Sequence, residues 1–184
     1  VSFSDKNLEK VIRHKLQKKQ DDVYEGDMRN FIKFSASHFY ISSVDELKHA
    51  VNIKFLDLYF NFILSIEPLK HIKALQEISI SNNHISDLTP LQNQVTLQCL
   101  NANKNQISEI NCLANLTNLK ELTLRNNSIS SINSVEGMVN LKKFDVAQNK
   151  VSDCSPLEGL TQLTYCDLSE NKISNISSLK QAIY

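Results

Sequence analysis

Residues 75–91 read LQEISISNNHISDLTPL, and the spacing of apolar residues around Asn83 decides the fold. Leu75, Ile78 and Ile80 precede the asparagine, and Ile85, Leu88 and Leu91 follow it. The same frame, L-x-x-L-x-L-x-x-N-x-I-x-x-I-x-x-L, recurs around Asn61, Asn105, Asn127, Asn149 and Asn171, each asparagine 22 residues from the next. One more step back lands on Phe39, with Phe31, Phe34, Ala36, Ile41, Val44 and Leu47 in the corresponding places. Residues 31–184 therefore read as seven units without insertion: 31–52, 53–74, 75–96, 97–118, 119–140, 141–162 and 163–184. A repeat of this length settles the fold before local propensity is consulted. Of 42 apolar frame positions, 38 are Val, Ile, Leu or Phe, too many for coincidence. Ala36, Ala102, Cys154 and Cys166 fill the rest, and all are small enough to bury.

The L-x-L alternation predicts a short strand with its apolar side chains inward. The asparagine turns the chain, and I-x-x-I-x-x-L returns it at a spacing near three, which predicts 3₁₀ or irregular turns. Stacking such coils gives an α/β solenoid, a right-handed superhelix with a parallel sheet on its concave side. The asparagines (Asn61, Asn83, Asn105, Asn127, Asn149 and Asn171) form a structural ladder, because a buried amide supplies two donors and an acceptor to backbone groups at the turn. No unit folds alone, since its flanks stay apolar until a neighbour covers them.

Residues 1–30 lie outside the frame and predict a helical cap. Ser4 is the expected N-cap of a helix whose Leu8, Val11, Ile12 and Leu16 form one face. Lys15 falls within that stripe and must turn its charge outward. A second helical piece is expected from Asp27 into Phe31, with Phe31, Phe34 and Phe39 as the surface the cap covers. At the other end, Leu179 to Tyr184 completes a coil with no cap, which predicts that the natural chain continues. The start, VSFSDKNLEK, has no Met and no leader and looks trimmed.

The frame resembles the short, 22-residue class of leucine-rich repeats. FSDKNLEKVIRHKL leading into it, with the phrases ISDLTPL and ISNISSLK, resembles the cap and repeat region of bacterial internalin-family proteins. That resemblance implies a surface or secreted protein of a Gram-positive bacterium, without enzymatic activity, binding a host protein through the concave sheet.

Composition narrows the function classes. Twenty Lys+Arg balance twenty Asp+Glu, so no basic excess points to nucleic acid or an anionic membrane. No apolar run is long enough for insertion into a membrane. No nucleophile elbow, phosphate loop or zincin motif occurs, and carboxylate pairs such as Asp57 and Glu77 are ordinary for a polar sheet. Neither catalysis nor a cofactor or metal is expected. His49 and His71 share a repeat position, which without a third ligand reads as solvated turn residues. Cys99 and Cys112 show no pairing, and four unpaired thiols fit an oxidising compartment poorly.

Reading outward strand positions down the sheet leaves one anomaly. Most units show polar residues there, but FLDLYF (55–60) brings Phe55, Asp57, Tyr59 and Phe60 to the concave face of unit two. Exposed aromatics with a polar rim have the composition of a protein-binding hot spot. Arg125 and Tyr165 extend the footprint. The sequence leaves a second reading open, in which the cap or its loop (21–26) folds over these rings and buries them. Phe62 and Tyr40 would then edge the cap interface. The expectation is a monomeric module that binds a protein, a host receptor among the candidates. It would act outside the cell or on its surface. The alternatives are an intracellular scaffold resembling phosphatase regulators, or a structural spacer.

Overall fold

In the computed structural model, residues 1–177 and Leu179 are described. Residue 178 and residues 180–184 fall outside that part, and with them the expected close of the seventh unit. Among the described residues, seven three-residue strands form one parallel sheet in chain order: β1 (Lys33–Ser35), β2 (Phe55–Asp57), β3 (Glu77–Ser79), β4 (Cys99–Asn101), β5 (Glu121–Thr123), β6 (Lys143–Asp145) and β7 (Tyr165–Asp167). Each residue pairs with the one 22 positions on, as Lys33 with Phe55 and Lys143 with Tyr165. The register follows from the pleat, since a one-residue slip would turn Phe34, Leu56, Ile78, Leu100, Leu122 and Phe144 out of the core they fill. This is a leucine-rich-repeat solenoid.

Six 3₁₀ turns form the opposite side among the described residues: Asp45–His49, Glu67–His71, Thr89–Leu91, Asn111–Leu113, Asn133–Val135 and Ser155–Leu157. Apolar residues at spacing three match a helix with three residues per turn. Pro68, Pro90 and Pro156 stand in the first turn, where a missing N–H costs nothing.

The asparagine amides tie successive coils together. Asn83 Oδ1 accepts from the Ile63 N–H at 3.0 Å, and its Nδ2 donates to the Leu58 and Ile80 carbonyls, also at 3.0 Å. Asn61, Asn105, Asn127, Asn149 and Asn171 make the equivalent bonds. To aim these amides, the residue before each must take a left-handed backbone. Phe60, Asn82, Lys104, Asn126, Gln148 and Glu170 all do, with φ between 51° and 58°. His38 holds the same place in the first unit at φ 66°.

The cap comprises α1 (Lys6–Leu16) and α2 (Glu25–Met28), with Leu8, Val11, Ile12 and Met28 buried. The expected cap residue Ser4 is corrected to Asp5, whose carboxylate accepts from the Asn7 and Leu8 N–H groups. Its other oxygen accepts from the Ser42 N–H, the Ser42 hydroxyl and the Ser43 N–H, so one side chain caps α1 and latches it to the first unit. Ser4 instead donates its N–H to Glu46 Oε1. The second helix starts at Glu25 rather than Asp27, because the Asp27 carboxylate accepts from the Tyr24 N–H and so belongs to the first turn. Phe31 and Phe34 are covered as expected, but Phe39 is half exposed.

Among the described residues the most deeply buried polar side chain is Gln94. It is fully buried, donates to the Leu69 carbonyl and leaves its Oε1 without a donor. Its repeat equivalents are Ile72, Leu116, Met138 and Leu160. The Leu69 carbonyl also accepts from the Ile72 N–H, so nothing is orphaned when the amide is removed. Gln94→Met should raise stability by about 1 kcal/mol, read as a higher urea midpoint at unchanged slope.

Candidate binding surface

Outward side chains repeat at fixed places on each coil, so the sheet presents rows. The first strand position gives Lys33, Phe55, Glu77, Cys99, Glu121, Lys143 and Tyr165 in register. The third gives Ser35, Asp57, Ser79, Asn101, Thr123, Asp145 and Asp167. Four members of that second row accept from the N–H two residues on: Asp57, Asn101, Asp145 and Asp167 receive Tyr59, Asn103, Ala147 and Ser169 at 3.0–3.2 Å. A short polar side chain at this position therefore shapes the turn out of the strand. The recurrence of Ser, Asp, Asn and Thr every 22 residues was its legible sign.

The six expected contact residues do not form one patch. Phe55 lies in the groove of the sheet, with Lys33 Nζ 4.9 Å from its ring centre. Asp57 is engaged with the Tyr59 N–H and, at 2.9 Å, with the Ser35 hydroxyl. Tyr59 and Phe60 stand at the strand exit, about four residues or roughly 13 Å of extended chain from Phe55. Arg125 is committed within the sheet, its Nε 3.0 Å from Asp145 and its Nη2 bonded to Asp167. The Asp145 hydrogen bond raises the Arg125 pKa further. Tyr165 is exposed under Lys143, and five strand steps, roughly 24 Å, separate it from unit two.

The rings at the strand exit are not covered by the cap. The 21–26 loop turns the other way, where Glu25 reaches His49 at 3.3 Å. Tyr59 and Phe60 remain 36% and 48% exposed, the decisive difference between the two readings left open by the sequence. They pack on the His38 ring at 5.0 and 4.8 Å between centres. Beside them lies a second set, of which Tyr40 and Phe62 would edge the cap interface in the second reading of the sequence. Tyr40, Phe62 and His84, spaced 22 residues apart, stack along three coils at 5.8 and 6.0 Å. Phe62 is half exposed and Tyr40 more so. Their common spacing was the signal that could have found them. The two ring sets flank Asn61 and make an aromatic edge along units one to three.

The groove itself encloses about 530 Å³ and is walled by Lys33, Phe55, Glu77, Cys99, Glu121 and Lys143. The thiols are poor nucleophiles: burial, aided by Asp87, pushes Cys112 to about 11, and burial pushes Cys166 to about 12. Cys154 gives its thiol to the Asn175 carbonyl. Among the described residues no group of His, Cys, Asp and Glu is placed to hold a metal ion. No helix among them is long and apolar enough to cross a membrane.

Comparison with known proteins agrees with this architecture. The family model for leucine-rich repeats (2 copies) matches residues 51–93 and 95–137. No curated protein matches the sequence. The crystal structure of internalin C2 from Listeria monocytogenes is similar over 99% of this chain and 93% of its own, with 25% identity and a TM-score of 0.78. That of internalin F from the same organism covers 99% of this chain and 75% of its own, with 22% identity and a TM-score of 0.44.

Proposed function

We propose that this chain, a leucine-rich-repeat protein of the internalin family, is a module that binds another protein through its concave sheet and the adjoining aromatic edge. It carries no enzymatic activity in this reading and acts as a monomer at a bacterial surface or after secretion, with a host protein as the partner. Residues 1–30 serve as the cap, and residues 31–184 as seven repeats. The fold is that of protein-interaction scaffolds.

The observation that carries the proposal is Phe60. It occupies a left-handed position that costs a bulky residue about 1–2 kcal/mol, and its ring is nevertheless half exposed. Asn82 and Asn126 hold the same place in other coils, and asparagine tolerates that conformation well. His38, Lys104, Gln148 and Glu170 hold it in the remaining coils, so every other occupant is polar or a histidine, and a binding surface explains a half-exposed phenylalanine.

Phe60→Asn should leave stability unchanged or raise it by up to about 1 kcal/mol, since the backbone gain is offset by lost contacts to His38 and Tyr59. Enrichment of host surface proteins on immobilised wild-type protein and on this variant should show the partner reduced about tenfold or more. Combined replacement of Phe55, Tyr59 and Phe60 by serine should abolish it. Undiminished capture by a triple variant of reduced stability would reverse the reading. The intracellular-adaptor alternative has four unpaired cysteines in its favour. Protease digestion of the protein on intact producing cells separates the two.

A further inference from the structure

We propose that the concave groove recognises its partner through one basic side chain, lysine or arginine, laid over Cys99 with its charge beside Glu77. This rests on the reading that the sheet binds a protein, and it names the chemistry the partner must present.

The first row of outward residues sets the charge pattern of the groove. Lys33 is placed against Phe55, and Lys143 lies 4.0 Å from Glu121 and over Tyr165. Glu77 has no counter-charge among the described residues, although it is exposed on a wall of the groove. Between Glu77 and Glu121 stands Cys99, the shortest side chain of the row, over the strand backbone at Ile78 and Leu100, whose own side chains point into the core. Two strand steps part the carboxylates, roughly 10 Å, so the thiol leaves a notch between them.

A lysine or arginine suits this notch on both counts. Its aliphatic stem lies over the half-buried Cys99 thiol and along the Phe55 ring while its head stays at the rim, the usual division of such side chains. Phe55 supplies a ring face one strand before Glu77, where a guanidinium gains from the quadrupole. The field in the notch has the matching sign: burial raises the Cys99 pKa, and Glu121 and Glu77 raise it further against the opposing pull of Lys120 and Lys143. An acidic side chain would meet an uncompensated carboxylate at the same place, so the groove also selects against the wrong charge.

The test uses N-acetyl-arginine amide as the probe, titrated into the isotope-labelled protein and followed by amide chemical shifts. Shifts should concentrate at Glu77, Cys99, Asn101 and Glu121, and weaken as salt rises. Glu77→Gln should lower the apparent affinity roughly two- to fivefold, the range for an exposed ion pair. Cys99→Leu, which fills the notch, should remove the response while β4 keeps its strand shifts. N-acetyl-norleucine amide and N-acetyl-glutamate amide should give little. An equal response to norleucine, shifts confined elsewhere, or a folded Glu77→Gln protein that binds arginine unchanged would overturn the inference. Partner capture that still depends on Phe60 would in that case leave the binding reading standing.

Discussion

Replacing Asp5 with alanine is expected to detach the cap and lower stability by about 2–4 kcal/mol. One carboxylate accepts five hydrogen bonds, two from the first turn of α1 and three from Ser42 and Ser43 of the first unit. Loss of the helix cap accounts for about 1 kcal/mol. The Ser42 and Ser43 N–H groups, left without a partner in a part-buried turn, account for the rest. Asp5→Asn should fall between, because its amide oxygen can still cap α1 while its NH₂ cannot accept from the serines. Urea unfolding followed by circular dichroism measures both. A cap that tolerates alanine with a change below about 0.5 kcal/mol would contradict the latch.

The same residue sets a pH dependence. Burial would raise the Asp5 pKa, but the hydrogen bonds from Ser42, Leu8 and Ser43 outweigh it and hold the carboxyl below its usual value. A lowered folded-state pKa means the charged form is favoured by folding. The stabilisation is therefore fully present above the unfolded value, about 3.9, and is lost as pH falls through the lower folded value. The stability gap between wild type and Asp5→Ala should accordingly be widest near neutrality and narrow in that acid range.

Asn83→Leu is expected to cost about 2–3 kcal/mol, because one amide serves four backbone groups on two coils. The Ile63 N–H, which donates to Asn83 Oδ1, and the Leu58, Ile80 and Ser81 carbonyls lose a partner inside a dry turn. Each orphaned group costs about 1–3 kcal/mol, with partial relief where the carbonyl keeps another donor. Leu58 keeps one in Asn61 Nδ2 and Ile80 one in Asn105 Nδ2, both at 3.0 Å, and Ser81 keeps the Phe60 N–H, so the Ile63 N–H bears the full loss. Coils pack and pair their backbones with adjacent coils, so the damage should split the molecule into two stacks that unfold separately. Two transitions, or a single one with a reduced urea slope, are the expected signature. Protection of amides in units six and seven should survive where that in units two and three is lost.

Much of the fold was legible because repetition multiplies a weak signal. A single L-x-L is no evidence, but Leu56, Ile78, Leu100, Leu122 and Phe144 at one spacing leave no other set of inward residues. The rows of outward residues followed from the same arithmetic, as did the aromatic anomaly at Tyr59 and Phe60. The cap was less legible because it does not repeat. Ser4 and Asp5 are both good caps by type, and the choice depended on where Ser42 and Ser43 arrive from the first unit.

The candidate site was readable by composition and not by grouping. Phe55, Tyr59 and Phe60 are close in sequence, yet a strand carries the first into the groove and the turn carries the others to its edge. Arg125 looked available until Asp145 and Asp167 from the next two coils closed on it. Sequence alone determined the period, the inward face and the asparagine ladder, since these depend on residue type at fixed spacing. Tertiary structure alone decided which outward side chains are free, because the partners that occupy them come from coils 22 or 44 residues away, and the pattern records places along the chain without recording what meets across it.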